Sequence, residues 1–231
     1  MKPGEKAWVV LPVSTGWETL KFSLLPIARV EDKIVVFEVN VAGGKKEAFV
    51  PGAFVSPVKT VEKLAADEAV MISTNGARAF GRVMGPPSDK KVKVRYRFAG
   101  SLEEKDVDLT EVIELDGSLK FAAPIAFSEE KDEGSKRRLL WRPAQLVQTA
   151  ENKAWVVNAS GKPQRVPQNT VKPLSVSSMY KAGDKVWAAR GDEMVPGEVL
   201  EVQDGATRYK LKLEDGTELT APFEFVTTPL K

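Results

Sequence analysis

The 231-residue chain contains neither cysteine nor histidine. Disulfides and thiolate nucleophiles are thereby excluded. So are the usual general base, proton shuttle and zinc ligand, which removes histidine triads and zinc sites. An excess of one charge is also missing: 34 Lys and Arg stand against 32 Asp and Glu, a formal net charge of +2. That balance announces neither a nucleic-acid nor a membrane partner, so any basic footprint must be local. No apolar run approaches the roughly 18 residues that span a bilayer, and Met1-Lys2-Pro3-Gly4-Glu5 lacks the apolar stretch of a signal peptide. A soluble, cytoplasmic protein without a membrane span is the default expectation, although an exported chain with a trimmed signal would read the same. Helical periodicity is nearly absent too. Val61 to Ala69, with helix formers at Glu62, Lys63, Ala65 and Ala66, is the one stretch that predicts a helix, serving as a connector.

What is present is a folded composition, 42% apolar and 29% charged, with 15 Pro and 17 Gly spread along the chain as turn formers. The length exceeds one typical domain, so the core is either one large β structure or divided among smaller units. Internal repeats favour division. VPGAFVSPV begins at Val50, VDLTEVIEL at Val107, VPQNTVKPL at Val166 and APFEFVTTPL at Ala221, at intervals of 57, 59 and 55 residues. A second signpost, a small residue, a polar residue and an apolar β-former, lies upstream in each copy: Ala28-Arg29-Val30, Gly81-Arg82-Val83, Ala144-Gln145-Leu146 and Gly197-Glu198-Val199. From the small residue to the closing segment is 22, 26, 22 and 24 residues.

Between the two signposts each copy has an extended strand: Lys33 to Val39, Lys91 to Phe98, Lys153 to Asn158 and Arg208 to Leu213. A turn follows at Gly43-Gly44, Gly100, Gly161 or Asp215-Gly216. Val92, Val94, Tyr96 and Phe98 alternate with Lys91, Lys93, Arg95 and Arg97, the period-two mark of a strand buried on one face. Pro51, Pro167 and Pro222 remove a backbone donor where the chain leaves one strand, makes a short 3₁₀-like turn and starts the next. Each unit then holds about five short strands, enough to close a small barrel and remove exposed edges. The expected fold is all-β: four tandem small barrels over residues 1–60, 66–116, 117–176 and 180–231.

The last copy, from Gly183 to Val226, resembles a Tudor or agenet-type SH3-like barrel. The features that carry the likeness are Gly183-Asp184-Lys185-Val186 before strand one, Gly191-Asp192 in the first turn, and Pro196-Gly197-Glu198-Val199 on strand two. Tyr209, Leu211, Leu213, Asp215 and Gly216 match strand three and its tight turn. Trp141-Arg142-Pro143-Ala144-Gln145-Leu146 in the third copy is similar to the family's aromatic-Pro-Ala signature. The first two copies follow only through the internal repeat. The resemblance implies SH3-like barrels, and for some members an aromatic cage that holds methylated Lys or Arg. The chain departs from the cage pattern, with Val195 before Pro196, Arg142 before Pro143, and Leu211 and Leu213 on strand three where further rings would stand.

The aromatic candidates are Trp8, Trp17, Phe22 and Phe37 in the first unit, Phe127, Trp141 and Trp155 in the third, and Trp187 and Tyr209 in the fourth. Most are read as core-filling rings. Trp155 aligns with Lys210 on the outward parity of its strand and is expected to be exposed as a partner anchor. In the second unit Lys91, Lys93, Arg95 and Arg97 share one strand face, with Lys90, Arg78 and Arg82 nearby, and could grip phosphates or an acidic partner. Glu104, Asp106 and Asp108 alternate on the next strand and would instead pair with them across the ladder. Residues 128–138 read as a solvated polar loop with acidic and basic halves, a possible contact beside Trp141. No carboxylate stands in an apolar run that would raise its pKa, and neither Gly43-Gly44 nor Gly85-Pro86-Pro87 matches a phosphate loop. The sequence therefore predicts a non-enzymatic scaffold for protein or peptide partners, with no cofactor, no metal and no catalytic residue. Trp141, Arg142, Trp155 and Trp187 are its expected contact residues. Nucleic-acid binding through Lys91, Lys93, Arg95 and Arg97, and reading of methylated peptides, are the alternatives.

Overall fold

The computed structural model describes residues 1–13, 18–41, 44–74, 76–134 and 136–230, apart from the side chains at 133 and 136. It is all-β, with four antiparallel five-stranded sheets, one per repeat. The first contains β1 (Lys6–Pro12), β2 (Leu20–Glu31), β3 (Ile34–Val41), β4 (Gly44–Pro51) and β5 (Val55–Pro57). The second contains β6 (Ala69–Thr74), β7 (Ala77–Val83), β8 (Lys91–Phe98), β9 (Ser101–Asp108) and β10 (Val112–Glu114). The third contains β11 (Pro124–Glu133), β12 (Lys136–Ala150), β13 (Lys153–Asn158), β14 (Pro163–Pro167) and β15 (Val171–Pro173). The fourth contains β16 (Lys185–Arg190), β17 (Glu193–Gln203), β18 (Arg208–Leu213), β19 (Glu218–Pro222) and β20 (Val226–Thr227). In every sheet the strands lie in the order fourth, third, second, first, fifth.

The closing segments form one device four times. A 3₁₀ turn, Gly52–Phe54, Leu109–Glu111, Gln168–Thr170 or Phe223–Phe225, separates the fourth strand from the fifth. The residue before it, Pro51, Asp108, Pro167 or Pro222, has φ of −54°, −62°, −59° or −69°. This is the φ to which a pyrrolidine ring locks the chain, and Asp108 adopts it without the ring.

A second recurrent device fixes the start of each unit. The amide of Gly4 donates to the Ile27 carbonyl and that of Ile27 to the Glu5 carbonyl. The same reciprocal pair joins Asp67 and Glu68 to Val83, Ala122 and Ala123 to Leu146, and Gly183 and Asp184 to Val199, all at 2.8–3.0 Å. The leading residue is left-handed each time, with φ of 83°, 68°, 66° and 92° for Gly4, Asp67, Ala122 and Gly183. This pairing makes Gly81, Ala144 and Gly197 equivalent, as the spacing predicts, but their counterpart in the first sheet is Leu25 and not Ala28. Ala28 is instead the residue skipped by a β-bulge, as are Val147 and Leu200.

Two further expectations are corrected. Residues 61–69 are not helical. The Val61 amide bonds the Leu109 carbonyl, Leu64 is buried with the second core, and a turn between Ala65 and Glu68 leads into left-handed Asp67. Burial of Val61 and Leu64 against the second sheet outweighs the helix formers between them. Residues 128–133 and 136–138 are strand and not loop: the β11–β12 ladder runs out to Glu133 opposite Lys136, and the acidic and basic halves face each other across it, Arg137 with Glu130 and Asp132 at 3.5 Å.

The first three sheets each enclose an apolar cluster of their own: Val9, Leu11, Ile27 and Phe37 in the first, Ile72, Val94, Tyr96 and Val107 in the second, and Ile125, Phe127, Leu146 and Val156 in the third. The opposite faces of the first strands do not meet water. Trp8 and Val10 of β1, Met71 of β6 and Ala126 of β11 join Phe22, Trp141, Leu174 and Tyr180 in a central core continuous with that of the fourth sheet. At roughly 1.5–3 kcal/mol for each large side chain removed from water, this shared core contributes substantially to holding the sheets together. The connectors belong to it, contributing Leu115, Leu174, Val176 and Tyr180.

Neighbouring sheets are joined in the cyclic order first, second, fourth, third. β2 packs on β7, and β12 on β17. The Leu20 amide bonds the Gly161 carbonyl at 2.7 Å to link the first and third sheets. Arg97 pairs with Asp204 at 2.5 Å to link the second and fourth.

Candidate functional site

On the fourth sheet β16, β17 and β18 form a groove of about 440 Å³ lined by Lys185, Trp187, Pro196, Glu198, Lys212 and Pro229, among others. Trp187 stands opposite Pro196 in the β16–β17 register and opposite Thr227 of β20, and it lines the groove together with Pro196. Its ring is half-buried against the central core. Trp8 holds the same place in the first sheet, four residues after the left-handed glycine, and is wholly buried. The floor is narrow at Gly197, where a Cβ would lie 3.0 Å from the Lys212 carbonyl and 3.1 Å from Leu213. Lys185 donates to Glu198 at 2.5 Å and, with the charge of Lys212, holds that carboxyl below its usual range. The result is a groove that combines an indole and two prolines with charges of both signs, chemistry suited to an extended chain with an apolar anchor.

The other expected contact residues lie elsewhere. Trp141 is buried in the central core, with Lys172 Nζ 5.3 Å from its ring centre. Arg142 binds Glu129 at 3.0 Å and Asp192 at 3.1 Å, tying β12 to the β16–β17 turn. Trp155 does point away from its own sheet, but its ring packs edge-on against Phe54 of the first sheet at 5.7 Å and is half-buried. The outward position is covered by a neighbouring sheet, so the expected exposed anchor is part of a joint. These three and Trp187 therefore do not form one surface. Trp17 lies outside the described residues.

The basic strand keeps its predicted parity: Val92, Val94 and Tyr96 are buried, and Lys91 and Lys93 are exposed. Its charges are largely answered. Lys93 and Arg95 both pair with Glu104, at 3.1 and 2.9 Å, and Arg97 pairs with Asp204. Lys91 stands opposite Asp108.

Sequence reasoning missed the polar position of the second signpost. Arg82 is 2% exposed and donates to the carbonyls of Asp67 at 2.9 Å, Ser178 at 3.2 Å and Ala206 at 3.4 Å, while its guanidinium lies 4.4 Å from the Phe223 ring centre. Burial draws its pKa down, and interaction with Tyr209 offsets part of that. Gln145 is equally buried and donates to Ala122, the carbonyl equivalent to that of Asp67. At the same position Glu198 lies at the surface, so the residue type alone carried no signal of burial.

Among the described residues no cluster of three or more Asp or Glu could hold a metal ion, and no helix is long and apolar enough to cross a membrane. No protein-family model matches the chain, and comparison with curated proteins finds no match.

Proposed function

We propose that the chain is a non-enzymatic scaffold that binds protein or peptide partners, built from four SH3-like, Tudor-like barrels. The barrel reading is supported by the strand order, by the 3₁₀ turn before each fifth strand and by the bulge in three of the second strands. The observation that carries the binding reading is the Trp187 groove, where a half-exposed indole that shares the lining with Pro196 and Pro229 sits on a framework fixed from behind by the central core. A rigid anchor of this kind loses little conformational entropy on binding. Nucleic-acid binding through the basic strand has less support, since Lys93, Arg95 and Arg97 are already paired. Reading of methylated Lys has less again, because Trp141 is buried.

The test is selection of peptides from a random display library on the intact chain, followed by affinity measurement of the enriched sequences at 0.05 and 0.3 M salt. Trp187→Ala is expected to weaken them by at least about thirtyfold, the loss of roughly 2 kcal/mol that marks a hot spot. Salt should change the affinity far less than it would for a phosphate-binding strand. Peptides that bind Trp187→Ala as tightly as the unaltered chain would overturn the groove as the site.

A further inference from the structure

A second cleft, of about 280 Å³, opens where the first, second and fourth sheets meet, and Lys21, Phe22, Arg78, Phe80, Arg97 and Glu224 line it. Three of these are cations and one is an acid. Arg97 is committed to Asp204 and to the Gly100 carbonyl. Arg78 is not. Its guanidinium carbon lies 5.2 Å from the Phe22 ring centre and 5.7 Å from that of Phe80, so two rings fix its position. Its Nε is buried without a hydrogen-bond partner, and the charge it feels in the cleft is that of the Glu224 carboxyl. Lys21, exposed at the mouth, makes no ion pair with any described residue. An arginine in this state lacks the acceptors that usually accompany burial, and a ligand oxygen would supply them.

We infer that the cleft between the first, second and fourth sheets is a binding site for a small carboxylate with an apolar body. Its carboxylate is received by Arg78 and Lys21, and its body by the partly exposed rings of Phe80 and Phe225, while Phe22 lies buried beneath Arg78. The cleft is too small for a folded partner and has the mixed apolar and point-polar lining of a small-molecule site. It is separate from the Trp187 groove and does not rest on the peptide-binding reading.

Glu224, on the 3₁₀ turn of the fourth sheet, makes the site sensitive to pH. The groups facing it are Arg78 and Arg82 on β7, Lys21 on β2, and Arg97 on β8 with its partner Asp204. It retains partial exposure, yet the density of protein around its carboxyl pushes its pKa up to about 7, against the pull of Arg78 and Arg82. Above that pH its negative charge repels a carboxylate ligand and competes for Arg78. Below it the acid is neutral and the cleft carries its full positive charge. The ligand therefore binds more tightly as pH falls from 8 to 6, while a simple carboxylate with a pKa of about 4 stays ionised throughout.

The experiment titrates benzoate into the 231-residue chain, followed by NMR of the arginine Nε–Hε and backbone amide signals at pH 8 and 6. Saturable shifts are expected at Arg78, Phe80 and Phe225 and not at Trp187, with affinity at least about threefold higher at pH 6. Arg78→Met should remove the saturable shifts. Glu224→Gln should give the higher affinity at both pH values. Benzene carboxamide, which lacks the charge, should not bind. Shifts that do not saturate, or that survive Arg78→Met, would overturn the site. An affinity unchanged between pH 8 and 6 would overturn the role of Glu224. Should Arg78→Met fail to fold, loss of the arginine Nε–Hε shift in the carboxamide titration of the unaltered chain still decides the charge requirement.

Discussion

At Gly81 the absence of a single methyl group determines whether two strands can lie together. A Cβ there would stand 2.6 Å from the Arg95 carbonyl and 2.6 Å from Val94, closer than real atoms approach. The Val94 contact is with its side chain, but the Arg95 contact is with backbone across the β7–β8 ladder, so no side-chain rotation relieves it. Gly81→Ala is expected to cost roughly 1–3 kcal/mol, read as a lower urea midpoint. Gly85→Ala, where nothing lies within 4 Å of the added carbon, should stay within about 0.5 kcal/mol of the unaltered chain. The small residue at this signpost was legible in the sequence because it recurs as Gly81, Ala144 and Gly197. The first sheet was misread there because Ala28, small for a different reason, lies three residues beyond the true counterpart, Leu25. Arg82, one residue along, shows the converse. Nothing in a Gly-Arg-Val triplet distinguishes an arginine buried on three carbonyls from one in solvent, since that depends on Ser178 and Ala206, almost a hundred residues or more away.

At the scale of an element, the four closures show what a ring contributes beyond a φ value. Asp108 occupies the place of Pro51, Pro167 and Pro222 with φ −62° and ψ 138°, and the next amide, of Leu109, bonds the Lys90 carbonyl as the Gly52 amide bonds that of Lys33. In the ladder Asp108 faces Lys91 just as Pro51 faces Ile34 and Pro167 faces Lys153. Three prolines stand at this register without loss of pairing, so the Asp108 amide is dispensable. Asp108→Pro should then stabilise the chain by roughly 0.4–1 kcal/mol, because it restricts the unfolded state and asks nothing new of the folded one. A raised thermal midpoint checks it, and a lowered one would mean that the Asp108 amide or its carboxylate opposite Lys91 matters more than the backbone angle. Closures and third strands were legible because both are local: a Val-Pro step fixes its own φ, and strict alternation such as Lys91 to Phe98 is the imprint of one buried face. The connector at 61–69 was not, since its helix formers say nothing of the core waiting for Val61 and Leu64. Nor was the long β11–β12 hairpin, whose charge blocks look the same paired or solvated.

For the whole molecule, the decisive feature is that β1 and β6 are buried on both faces, one toward their own sheet and one toward the centre. The continuous apolar runs Ala7–Leu11 and Ala69–Ile72 are the sequence form of that state. A search for alternation passes over them, which is why tandem repeats alone suggest independent beads. Independent beads would unfold independently, each with its own small core. The shared core forbids this: removing one sheet exposes Trp8, Val10 and Phe22 on one side and Met71, Trp141 and Tyr180 on the other. Arg82, bonded to the second sheet, to the connector at Ser178 and to the fourth sheet at Ala206, would lose its partners at the same moment. The full chain is therefore expected to melt in one calorimetric transition whose van't Hoff enthalpy equals the calorimetric one. The fragment 1–60 on its own should bind hydrophobic dye and show poorly dispersed amide signals, since its central face has no cover. Four resolvable transitions, or a well-dispersed spectrum from that fragment, would mean that each sheet's own cluster suffices and that the central contacts add little. The number of residues meeting at the centre from all four sheets argues for the single transition.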